Sequence, residues 1–76
     1  MDKTLKANTA LWREVERTLA NELCFPRTHW YDHAKQSIFA RFARNGKQSI
    51  IGTVRITNGL VEEATGICAK ALRWEA

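Results

Sequence analysis

Apolar and polar positions recur with two different periods along this chain. Between residues 9 and 24, Leu11, Trp12, Val15, Leu19 and Leu23 fall at spacings of three and four, with Arg13, Glu14, Glu16, Arg17 and Asn21 between them. That period gathers the apolar set on one face of a helix. Asn8 or Thr9 can cap it by accepting an orphan backbone N–H. Pro26 disfavours helical geometry at Phe25 and so ends it. Residues 1–8 are either a tail or an extension of this helix, and residues 9–76 form a single domain.

Over residues 36–57 the period is two. The stretch SIFARFARNGKQSIIGTVRI carries Asn45-Gly46 between two runs rich in Ile, Phe, Val and Thr, which predicts a β-hairpin. A two-residue turn would set Arg41 opposite Ile50 and mix polar with apolar residues on both faces. A three-residue loop, Arg44-Asn45-Gly46 with Gly46 left-handed, sets Ala40 opposite Ile50 instead. Ile38, Ala40, Phe42, Ile50, Gly52, Val54 and Ile56 then share a core face. Ser37, Phe39, Arg41, Ala43, Ile51, Thr53 and Arg55 share the other. Phe39 and Arg41 are neighbours on that second face, whereas Phe42 points away from it.

Residues 59–74 read as a second helix, with Leu60, Val61, Ala64, Ile67, Cys68, Ala71 and Leu72 as an apolar stripe. Asn58 would cap it, Glu62 and Glu63 would sit in its first turn, and Lys70 and Arg73 near its end. The segment RTHWYDHA between Pro26 and Lys35 reads as a short third strand beside the hairpin, with Trp30 packed against both helices. The predicted fold is therefore α+β and two-layered. Two helices pack on one face of a small antiparallel sheet, in the order helix, two or three strands, helix.

Composition narrows the functional classes. A chain of 76 residues buries roughly 60–65% of the surface its unfolded form exposes, so a homodimer would help its core. No apolar run approaches the ~20 residues that span a bilayer, and the first residues lack an apolar leader segment. A soluble cytoplasmic protein without a membrane partner is expected. The two cysteines, Cys24 and Cys68, lie in apolar patterns and read as free buried thiols of a reducing compartment. Charge is uneven: residues 25–57 hold six basic residues against Asp32 alone, a net of +5, while residues 1–24 balance to zero and residues 58–76 carry −1. A clustered positive field attracts an anionic partner.

No catalytic motif is present, and the chain reads as a non-enzymatic binding module without a cofactor. Cys24, His29, His33 and Cys68 could be imagined around zinc, but C-x4-H-x3-H with a distant cysteine matches no usual ligand spacing. On a strand the two histidines would lie ~13 Å apart. A Cys–His nucleophile needs an exposed thiol, which the apolar settings of both cysteines oppose. The candidate binding residues are Phe39, Arg41, Arg44, Lys47 and Arg55. The ring can stack on a base while the cations hold phosphates, so nucleic acid is the first partner to consider. The alternative is an acidic protein surface, with the chain acting as an interaction module or a small inhibitor or adaptor of the mobile-element type. The order helix, strands, helix resembles the double-stranded-RNA-binding domain at the level of topology. That family carries basic residues at the start of its last helix, where TNGLVEEATG here offers Glu62 and Glu63.

Overall fold

The computed structural model describes residues 3–75. The chain runs α1 (Lys3–Asn21), β1 (Cys24–Asp32), β2 (Ser37–Arg44), β3 (Gly52–Thr57), β4 (Leu60–Thr65) and α2 (Gly66–Leu72). The four strands form one sheet in sequence order, and every neighbouring pair is antiparallel. The class is α+β, with a third strand before the hairpin as expected and a fourth after it. No described helix is long and apolar enough to cross a membrane.

The first helix begins at Lys3, so residues 3–8 extend it. Asn8 is then no cap. It lies fully buried in mid-helix, where its Nδ2 donates to the Gln36 carbonyl at 2.7 Å and its Oδ1 accepts from the Gly59 amide at 2.6 Å. One side chain thus ties α1 to the β1–β2 turn and the β3–β4 turn together. Replacing it leaves a carbonyl and an amide without partners, each costing about 1–3 kcal/mol if dry. We expect Asn8→Ala to lower the unfolding free energy by about 2 kcal/mol in urea titrations, with water offsetting part of the loss.

The face assignment of the hairpin holds, and its register does not. Ile38 lies opposite Ile56, Ala40 opposite Val54 and Phe42 opposite Gly52. Each pair is shifted by two residues per strand from the three-residue loop, which preserves parity. Ile38, Ala40, Phe42, Val54 and Ile56 are therefore all buried, joined in one core by Val15 and Leu19 of α1 and Cys68 of α2. Ile50, expected in that core, is 43% exposed in the longer connection. Gly46 does adopt the left-handed conformation, at φ +77°, within a turn closed by the Lys47 amide on the Arg44 carbonyl. Beyond it, Ala43 and Arg44 pair only with β1, opposite Phe25 and Cys24.

The predicted helix over 59–74 is corrected: its first half is strand β4, and α2 begins only at Gly66. Asn58 and Gly59 both have positive φ, 55° and 74°, and Thr57 pairs with Leu60 across them. That is the backbone of a two-residue type I′ hairpin turn, for which Asn-Gly is the preferred dipeptide. Glu62 and Glu63 consequently stand on a strand and not in the first turn of a helix.

Two bulges shape the sheet. Arg27 is the extra residue between the pairs Pro26–Phe42 and Thr28–Arg41, and Glu62 is the extra residue between Arg55–Glu63 and Ile56–Val61. Pro26 has no N–H to give a ladder, and an edge strand at a bulge tolerates that.

Candidate functional site

The bulge at Arg27 decides which residues of β1 reach which face. Before it, Cys24 is buried on the core side. After it, the parity reverses: His29 stacks on Trp12 of α1 at 5.4 Å and Tyr31 packs against the core, so Trp30 is turned away. Trp30 is 43% exposed and is not among the hydrophobic residues packed against the core, contrary to the expectation that it packs against both helices. It lies directly across from Phe39.

The strand registers then align one row of side chains over all four strands: Trp30, Phe39, Arg55 and Glu63. The Trp30 and Phe39 rings are 4.8 Å apart and tilted by 43°. The Arg55 guanidinium sits 4.8 Å from the Phe39 ring centre and its Nη1 donates to Ser37 Oγ at 3.2 Å. Arg41, in the adjoining row, lies 5.1 Å from the Trp30 ring and 5.7 Å from Phe39. That second row reads Thr28, Arg41, Thr53 and Thr65, with the last two hydroxyls bonded at 2.7 Å. Cation–ring contacts at exposed sites contribute about 0.5–1 kcal/mol each, and a tilted ring pair about 0.5–1.5. The cluster is thus held by its own contacts while Trp30 and Arg41 keep exposed surface.

Of the residues singled out in the sequence, Phe39, Arg41 and Arg55 come together here. Arg44 and Lys47 do not. Arg44 lies opposite Cys24 at the end of β2, and its Nη1 donates to the Glu22 carbonyl at 3.2 Å, bracing the α1–β1 turn. Lys47 is exposed in the β2–β3 connection. Trp30 is the functional candidate that sequence parity missed, and Pro26 is the signal that could have exposed it, since a proline within a strand suggests a bulge.

The other chemical candidates separate. His33 packs edge-on to Tyr31 at 4.7 Å, while His29 stacks on Trp12. Among the described residues no group of three or more His, Cys, Asp or Glu could hold a metal ion. Cys24 and Cys68 are free and buried. Burial, with Cys24 adding in the same direction, pushes the Cys68 thiol up to about 12, so it stays protonated and a poor nucleophile at neutral pH. A shallow concavity of about 340 Å³ along α1, lined by Leu5, Lys6, Thr9, Ala10 and Arg13, brings no acid, histidine or thiol to its walls. No family model, curated protein or solved structure matches the chain.

Proposed function

We propose that this chain is a small non-enzymatic binding module in which both helices cover the even face of β2 and β3, and the opposite face binds nucleic acid. The observation that carries this reading is the cluster of Trp30, Phe39, Arg41 and Arg55, whose outermost ring is 43% exposed. Rings offer bases a stacking surface and guanidinium groups meet phosphates. The net charge of +5 over residues 25–57 adds a favourable field. The reading includes a reducing, cytoplasmic setting, in which Cys24 and Cys68 persist as thiols.

Titration with random single- and double-stranded oligonucleotides at low salt tests it. We expect dissociation constants between about 1 and 100 µM, the usual range for sequence-independent binding. Affinity weaker than about 100 µM for both would overturn the nucleic-acid reading.

A second reading, an interaction module for an acidic protein surface or for a second copy, is favoured by different residues. The edge strands β1 and β4 carry unpaired backbone groups, and Leu23, Phe25, Ile50 and Leu60 are exposed by 40–69%. Failure of the titration together with a concentration-dependent dimer in sedimentation would support it.

A further inference from the structure

We infer that the strand bound on this face is single rather than duplex, with one base stacked on Trp30 and the neighbouring phosphate held by Arg41. This rests on the nucleic-acid reading above and names its ligand class. In a duplex the faces of the bases are already stacked on one another, and what a protein meets is backbone and groove edges. A ring on a flat sheet can engage only an unstacked base. Trp30, with Phe39 at 4.8 Å and the Arg41 guanidinium at 5.1 Å, is still 43% exposed and is the more accessible ring. Phe39 is flanked by Trp30 at 4.8 Å, Arg55 at 4.8 Å and Arg41 at 5.7 Å, and is half-buried.

Charge points the same way. Proteins that grip duplexes through the backbone make many phosphate contacts, typically ~6–10. Here Arg55 is engaged with Ser37 and Phe39 and has Glu63 as its cross-strand neighbour. Arg41 lies 5.1 Å over the Trp30 ring yet stays exposed, and with Arg27, exposed at the bulge beside it, it is the cation best placed to meet a phosphate on this face. Glu63 also repels a phosphate from the β4 side, so the strand runs over β1 and β2. Such a footprint covers two or three nucleotides, and the hydroxyl of Thr28, beside Arg41 in the register, faces the same path.

The test uses the full chain with labelled dT15, rU15 and a duplex of equal length closed at both ends by loops joined to a non-nucleotide linker. Anisotropy is read at low and moderate salt, and tryptophan emission is followed in parallel. Single strands are expected to bind at least ~10-fold more tightly than the duplex, with a salt slope near 1–2, since each phosphate contact on a single strand contributes about 0.7. Trp30→Ala should weaken binding about 5- to 150-fold, as loss of one stacked base does, and Trp30→Phe should restore part of it. Arg41→Gln should lower the salt slope by about 0.7. Lys70→Ala, on α2, should change nothing. If Trp30→Ala fails to fold by circular dichroism, Trp30→Leu keeps apolar bulk without the ring. Duplex binding as tight as single-strand binding, or single-strand binding indifferent to Trp30, overturns this inference and leaves the nucleic-acid reading standing. No binding by any of the three overturns that reading itself. A preference for rU15 or dT15 supports the inference and identifies which single strand is bound.

Discussion

Phe42→Ala should lower the unfolding free energy by about 3–5 kcal/mol, the usual loss for truncating a buried phenylalanine. Phe39→Ala, three residues away in the same strand, should cost less, about 1.5–3.5 kcal/mol as the sum of a ring pair and two exposed cation–ring contacts. Phe42 has no exposed surface, touches Trp12 of α1 at 5.9 Å between ring centres, and faces Pro26 on one side and Gly52 on the other. The glycine opposite it leaves nothing able to expand into the space a truncation opens, which places the cost toward the upper end of the range. Phe39 looks the other way, toward Trp30, Arg41 and Arg55. Paired urea titrations of the two variants measure the difference directly. Equal and large losses would mean that both faces of the sheet are covered, and that the binding surface proposed for Phe39 does not exist.

What could be read from the sequence followed the places where chain parity is unbroken. Residues 37–44 and 52–57 alternate without interruption, so the even and odd faces came out correctly although the pairing was off by two residues on each strand. An even slip preserves faces within the strands; in the connection before β3, Ile50 is exposed and Ile51 packs against the core, the reverse of what was expected. The bulges defeated the same logic. At Glu62 the extra residue lets Val61 and Ala64, three apart, both face the core. Three apart is also helical spacing, and Ile67 and Cys68 continue it, so strand β4 counterfeits the apolar stripe of a helix. The residues that could have settled the matter were Asn58-Gly59, the same dipeptide that signalled the first turn. At Arg27 the parity reversal carried even-numbered Trp30 to the side of odd-numbered Phe39, and the candidate site gained its exposed ring there. Asn8 gave no signal at all: its two partners lie 28 and 51 residues away, and nothing local distinguishes a buried clip from a cap.

Gly66→Ala is expected to do more damage than either phenylalanine substitution and to leave the domain largely unfolded. Gly66 has φ +57°, a conformation that costs an ordinary L-residue roughly 1–2 kcal/mol. The larger effect is steric. A Cβ there would stand 2.0 Å from the Ile51 carbonyl oxygen, 2.9 Å from its carbon and 3.1 Å from Gly52 Cα, all backbone atoms of the segment entering β3. Relief requires that segment to move, which gives up the Ile67 amide bond to the Ile51 carbonyl and the bridge between Gly52 and Gly66. It also separates α2 from β3, whose contact is close enough that a Cβ on Gly52 would lie 2.9 Å from the Cys68 amide nitrogen. Total stability for a domain of this size is on the order of 4–11 kcal/mol, so a loss above about 4 removes between about a third and all of it. Gly46→Ala separates the two causes. Gly46 has φ +77° but nothing within 4 Å of a Cβ, so only the conformational cost of about 1–2 kcal/mol should register. Far-UV circular dichroism melts of both variants decide between them. A Gly66→Ala protein that melts with Gly46→Ala would show that the junction between β4 and α2 is loose, and that the close approach of Gly52 and Gly66 does not hold the second helix in place.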